Sequence, residues 1–169
     1  FGGLEQLAWS PDGNNIVYSC RQKTGRDYAF STNSEIIIYN VVTSETLQVT
    51  VGGGYDTDPV WSADGSCIAW ISMERDGYEA DQQRLMVAEI IPSQEADGRG
   101  LPTLGAIADA SEGFDYNVAS PAFDSEGNIW FNSRVDGLQG IFRAVPGEKW
   151  SIERITGEDD WHDYDTPFH

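Results

Sequence analysis

The sequence predicts an all-β protein, a β-propeller fragment of about three four-stranded blades, and three features carry that expectation. A hairpin signature occurs three times along the chain. A shorter landmark ending in proline stands ahead of each later copy. No stretch shows the period of an amphipathic helix, whereas strand-like runs recur throughout.

The hairpin signature reads WSPDGNNIVYS from Trp9 to Ser19, WSADGSCIAWIS from Trp61 to Ser72 and FDSEGNIWFNS from Phe123 to Ser133. Each copy has an aromatic residue, a short polar turn containing glycine, and then an apolar-alternating strand. In SPDG (Ser10 to Gly13), Pro11 presets φ for the second turn position and Asp12 suits the next corner. Gly13 can enter the left-handed conformation that closes a bulged hairpin. SADG (Ser62 to Gly65) and DSEG (Asp124 to Gly127) repeat this chemistry without the proline. The landmark is YDTDP (Tyr55 to Pro59), then FDYNVASP (Phe114 to Pro121), then YDTP (Tyr164 to Pro167).

A third strand follows each hairpin: EIIIYN (Glu35 to Asn40), RLMVAEI (Arg84 to Ile90) and GIFRAV (Gly140 to Val145). A fourth follows in turn: TLQVT (Thr46 to Thr50), LPTLGAI (Leu101 to Ile107) and WSIERIT (Trp150 to Thr156). β-Branched and aromatic residues dominate these runs. The polar, glycine-containing stretch from Pro92 to Gly100 reads as an extended loop. The blades are therefore expected over 1–51, 52–112 and 113–157, with a further blade begun over 158–169. Trp9, Trp61, Trp70, Phe123 and Trp130 are assigned to repeat positions and are expected to pack between blades.

A β-sandwich would use similar strands but would not need one turn and one landmark three times over. A propeller closes with about four to eight blades. Three blades alone would leave two apolar faces uncovered. Either the chain is cut from a longer protein, or arcs pair as a homo-oligomer. The landmark at Tyr164 favours the first.

Charge narrows the partners. The 28 acidic and 10 basic residues give a net charge of −18, spread along the whole chain. Such a surface repels phosphate backbones, so nucleic acid is not an expected partner. It favours cationic ligands such as a peptide α-ammonium. No apolar run is long enough to cross a membrane, and FGGLEQLAWS is not a signal peptide. Cys20 and Cys67 form no metal motif and sit at different points of the repeat, so buried thiols are expected.

The aromatic-Ser-x-Asp-Gly-x-x-Ile-x-aromatic pattern resembles the WD-like propeller repeats of TolB and of the prolyl oligopeptidase family. Three stretches are more specific: Lys23 to Asn40, Gly54 to Gly65 and Ser72 to Val87. They are similar to the propeller of bacterial dipeptidyl peptidase V and acylaminoacyl-peptidase-like enzymes. The resemblance is specific in the first two blades and generic in the third. It implies an N-terminal propeller, usually of seven blades, capping a C-terminal α/β-hydrolase domain with a Ser, Asp and His triad. It further implies a serine exopeptidase acting on oligopeptides, often exported to the periplasm or secreted. No cofactor is implied.

No catalytic residue transfers to this chain. Gly-x-Ser-x-Gly does not occur, so there is no nucleophile elbow. The histidines are His162 and His169, both at the C-terminal edge in polar surroundings. The expectation is a non-catalytic propeller domain that gates and helps bind oligopeptides, with no peptidase activity of its own. The other reading is a TolB-like propeller that works through protein contacts without chemistry. A carbohydrate-acting propeller would need clustered inner-strand carboxylates that the sequence lacks.

Within that expectation the loop from Met73 to Arg84 is the candidate substrate-binding element. It is long where a tight hairpin would suffice. Glu74, Tyr78, Glu79 and Asp81 are the candidates for a substrate α-ammonium, through carboxylate contact and an aromatic wall. The plainer alternative is a solvated loop stiffened by a pair between Arg75 and a carboxylate. The equivalent loop from Cys20 to Glu35 carries Arg21, Lys23 and Arg26, the basic spot of the chain. It would touch a substrate carboxylate or the hydrolase domain, or else be a rim loop whose Asp27, Ser31 and Asn33 satisfy its own backbone. Asp56 and Asp58 offer too few ligands for calcium, and no metal site is expected there or in the tail from Gly157 to Asp165.

Overall fold

The computed structural model describes residues 6–21, 33–75, 81–95 and 97–156. These form twelve strands in three antiparallel sheets of four, each in simple chain order, and no α-helix is found among the described residues. The first sheet holds β1 (Leu7–Trp9), β2 (Asn15–Cys20), β3 (Glu35–Asn40) and β4 (Thr46–Gln48). The second holds β5 (Tyr55–Trp61), β6 (Cys67–Met73), β7 (Arg84–Ile91) and β8 (Thr103–Asp109). The third holds β9 (Ala119–Phe123), β10 (Ile129–Val135), β11 (Leu138–Val145) and β12 (Ser151–Arg154). These are propeller blades, and the all-β expectation is met.

The turns form for the reasons read in the sequence. Gly13, Gly65 and Gly127 take φ of 71°, 73° and 83°, where a side chain would be strained. In the first two turns a serine hydroxyl and the following aspartate bind the turn together. Ser62 Oγ donates to Asp64 and accepts from the Cys67 N–H at 2.9 Å. The third turn is built differently. Asp124 replaces the serine, and its carboxylate accepts from the Glu126 and Asn128 N–H groups.

That third turn is also one residue shorter. The return bond runs from Ser10 to Asn15 and from Ser62 to Cys67, but from Asp124 to Asn128. Trp9 therefore faces Ile16, Trp61 faces Ile68, and Phe123 faces Ile129. The structural counterpart of Trp70 is Phe131, not Trp130. Because side chains alternate across a sheet, a one-residue change sends Trp130 to the opposite face. The sequence-based placing of Trp130 at the repeat position of Trp70 is thus corrected: Trp130 lies on the face turned away from the second sheet.

Two cores join the three sheets. Val17, Ile36 and Ile38 of the first sheet meet Ile68, Trp70, Ala88 and Ile90 of the second. The other face of the second sheet offers Ala69, Ile71, Leu85 and Val87 to Ile129, Phe131, Phe142 and Ala144 of the third. Phe131 and Phe142 stack at 5.6 Å, and Phe114 from the linker packs on both. Each fully buried valine, leucine, isoleucine or phenylalanine among them contributes about 1.5–3 kcal/mol. Trp61 adds a directed contact, donating from Nε1 to the Ala8 carbonyl of the first sheet at 3.2 Å.

The two outer faces differ in make-up. Away from the second sheet, the first sheet presents Leu7 and Trp9, which is 55% exposed, with Ile16, Tyr18 and Tyr39 on the same side. The outer face of the third sheet is mixed, with Trp130, Ile141, Val145 and Ile155 beside Arg143, Glu153 and Asn132. There Arg143 lies 5.5 Å over the Trp130 ring and pairs with Glu153 at 2.6 Å. Trp130 in turn donates from Nε1 to Asp124 Oδ2 at 2.8 Å.

The proline landmark marks a bulge. Asp58 and Ser120 both take φ of 52°, and each precedes a proline in an inner strand. Both inner strands shift register against their partners at that point. Pro59 and Pro121 sit at these bulges, where the missing N–H costs no ladder bond.

Candidate functional site

The loops that join second to third strands, and the linkers between sheets, gather at one end of the sheets. The hairpin turns with Gly13, Gly65 and Gly127 gather at the other. The candidate residues belong to the first end. Met73 closes β6 and is buried, Glu74 follows it exposed, and Asp81 stands just before β7. Tyr78 and Glu79 lie outside the described residues.

Asp81 is committed to Arg75. The Arg75 backbone N–H donates to Asp81 Oδ2 at 3.0 Å, Nε to the same oxygen at 3.3 Å, and Nη2 to Oδ1 at 2.8 Å. The side-chain bonds from Arg75, with its backbone bond and charge, hold the Asp81 carboxyl below the usual carboxylate range. A two-pronged pair of this kind fixes the mouth of the loop. Beyond it, Gln82 donates to the Phe114 carbonyl at 2.6 Å, and the Gln83 N–H donates to Asn117 Oδ1 at 2.9 Å. The loop base is thereby stitched to the linker that enters the third sheet, and Tyr116 of that linker donates to Asp136 at 3.2 Å.

Next to this loop, between the first and second sheets, Asp56 is joined by Glu35, which the sequence did not single out. Glu35 and Asp56 are 5% and 6% exposed. Glu35 accepts from Asn33 at 3.2 Å and from the Thr50 hydroxyl at 2.8 Å. Asp56 accepts the Trp70 indole N–H at 3.0 Å, and its backbone carbonyl accepts the hydroxyls of Ser19 and Ser34. Burial pushes the Asp56 carboxyl up, against hydrogen bonds from Ser72, Thr50 and Trp70, and the neighbouring Glu35 pushes the same way. The Asp56 carboxylate thus serves the Trp70 ring and neighbouring hydroxyls. The signal in the sequence was Asp56 beside a tryptophan-bearing strand, readable only with the strand register in hand.

Asn33 donates to the Gly52 carbonyl at 2.7 Å, so it serves the adjoining backbone. Lys23, Arg26, Asp27, Ser31, His162 and His169 lie outside the described residues, as does the tail from Gly157. Cys20 and Cys67 are free and half-buried, and burial raises both thiols. Among the described residues no cluster of three or more His, Cys, Asp or Glu is placed to hold a metal. No described helix is long and apolar enough to cross a membrane.

No protein-family model matches the chain. It is 40% identical over 168 residues to Dipeptidyl-peptidase 5 of Porphyromonas gingivalis, a match covering 97% of this chain and 22% of that protein. It is 50% identical over 82 residues to Dipeptidyl-peptidase 5 of Porphyromonas endodontalis, covering 48% of this chain and 12% of that protein. A shorter similarity, 36% over 69 residues, links 41% of the chain to 14% of the Tol-Pal system protein TolB of Alcanivorax borkumensis. A crystal structure of Porphyromonas gingivalis dipeptidyl peptidase 4 overlaps 89% of this chain with 24% of its own, at 15% identity and a TM-score of 0.49. The kinship with dipeptidyl peptidases read from the residues is therefore borne out along nearly the whole chain. The chain spans about a fifth of the P. gingivalis relative, 22% of its length.

Proposed function

We propose that the chain is a non-catalytic propeller portion of a serine exopeptidase of the dipeptidyl-peptidase kind, which gates and helps bind oligopeptide substrates. The observation that carries this reading is the match to Dipeptidyl-peptidase 5 along 97% of the chain. The absence of Gly-x-Ser-x-Gly from the sequence puts the nucleophile elsewhere in the polypeptide. The α/β-hydrolase domain and an exported, periplasmic setting belong to the same proposal.

In this reading the loop from Met73 to Arg84 contacts the substrate N-terminus. The Arg75–Asp81 pair holds its mouth, so Asp81 acts by positioning. Glu74, Tyr78 and Glu79 supply the carboxylates and the aromatic wall for an α-ammonium group. The test is made on the longer polypeptide of the same gene, with a chromogenic dipeptide as substrate. Glu74→Gln, Tyr78→Phe and Glu79→Gln are expected to raise KM about tenfold or more in at least one case, with kcat less affected. Asp81→Asn is expected to act through loop order. Unchanged KM in all four variants would remove the loop from substrate binding. The present chain alone is expected to leave the dipeptide intact, and hydrolysis blocked by a serine-directed inhibitor would overturn the domain assignment.

A further inference from the structure

At the hairpin-turn end, opposite the loop just discussed, a cleft of ≈ 660 Å³ opens between the second and third sheets. That size suits a large side chain or a short segment of a partner. Its floor is apolar: Val87, Ala108, Phe123 and Trp150 line it. Both rings are only partly buried against the core beneath. Every ionisable carboxyl or amine that lines it is acidic, namely Asp64, Glu89, Asp124 and Glu126.

The acids are set in place by the backbone. The Ser66 N–H, with the hydroxyls of Ser62 and Ser66, holds Asp64 at a pKa of about 2. Asp124 is pushed up by burial but held down more strongly by Trp130, Asn128 and Glu126, again to about 2. Glu89 is placed by a bulge. The register of β7 against β8 shifts between Ala88 and Ile90, and Glu89 Oε2 accepts the Ala106 N–H at 3.3 Å. Its side chain lies across Gly105, where a Cβ would come within 2.7 Å of Oε2 and 2.9 Å of the Glu89 Cβ. The bulge and the glycine together aim Glu89 over the cleft wall.

We propose that this cleft is a docking site for a basic segment of a partner protein, one that presents lysine or arginine beside apolar side chains. The match is in both parts of the surface. A long basic side chain lays an apolar stem on an apolar floor and carries its charge to an acidic rim. Aromatic walls favour the same cation. A bare metal ion would leave the floor uncovered, and an acidic or neutral segment would leave the rim uncompensated. A second copy of this chain, with a net charge of −18, brings the wrong sign. This site is independent of the substrate loop, since the two lie at opposite ends of the sheets.

The experiment titrates the chain with an acetylated, amidated peptide alternating leucine and lysine, and separately with its leucine–glutamate counterpart. Backbone amide shifts report the place of binding. The expected result is that the lysine peptide moves the amides of 64–67, 105–108 and 124–127 and the glutamate peptide does not. Binding should weaken about tenfold on raising salt from low to several times physiological. It should weaken about tenfold again in a Glu89→Gln, Glu126→Gln double variant, both sites being exposed and replaceable without loss of the fold. Equal binding of the two peptides, shifts confined to other residues, no effect of the double variant, or no binding would each overturn the proposal. So would movement of these same amides with protein concentration alone, which would make the cleft a contact between copies.

Discussion

Trp70 donates its indole N–H to Asp56 Oδ1 across 3.0 Å, and both side chains are buried where the first and second sheets meet. The pair joins strands β5 and β6 by side chains as well as by the ladder. It also places an ionisable group where its charge is poorly solvated. Trp70→Phe would leave the carboxylate short of one donor and is expected to cost about 1–3 kcal/mol.

Asp56 makes stability depend on pH with a definite sign. Its folded pKa lies above the ordinary value of 3.8, first because of burial. Its contribution is therefore fully present below that ordinary value and is lost as pH rises through the folded pKa. Asp56→Asn keeps an acceptor for Trp70 and removes the charge. The variant is expected to gain in Tm relative to the natural chain as pH is raised from acid towards neutrality. Thermal unfolding over a pH series measures this, and a difference that stays flat with pH would contradict it.

Asp64 works in the opposite direction. Hydrogen bonds from the Ser66 N–H and the two serine hydroxyls lower its folded pKa from 3.8 to about 2. Its contribution is present above the ordinary value and is lost as pH falls towards the folded one. The site is exposed, so solvent screening keeps the effect small. Asp64→Asn should lower Tm near neutral pH and converge with the natural chain in strong acid. Curves that diverge as pH falls would refute the assignment.

Phe131 and Trp130 are neighbours with different duties. Phe131 is buried between the second and third sheets, stacked on Phe142. Trp130 faces away from that junction, under Arg143 and bonded to Asp124. Phe131→Ala is expected to cost about 3–5 kcal/mol. Trp130→Ala should cost about 1–2 kcal/mol, the scale of one hydrogen bond and one cation–π contact. Urea denaturation of both variants measures the difference, and equal losses would mean that the register of the third sheet is wrong.

Much of the fold was legible in the residues because its causes are local. Gly13, Gly65 and Gly127 each need a positive φ within a turn of a few residues, and the strands around them alternate visibly. Trp130 stands three residues after Gly127 and Trp70 five after Gly65, so the two tryptophans do not occupy one repeat position. Asp124 takes over the roles that Ser62 and Asp64 share in the preceding turn, and the loop closes one residue sooner. The Arg75–Asp81 clamp was foreseen as one alternative, since both partners sit in one loop. The Glu35–Asp56 group was not, because its burial is created by a neighbouring sheet.

By its order of residues alone, the chain determined three hairpin-led sheets, their sequence-adjacent strand pairing, and its kinship with dipeptidyl peptidases. Those properties rest on turn geometry and two-residue alternation, which act over a few positions. Only the packed structure decided which aromatic faces which sheet, how the two outer faces differ, and where the acidic cleft opens. These depend on how separate sheets meet, and a shift of one residue in a turn is enough to reverse them.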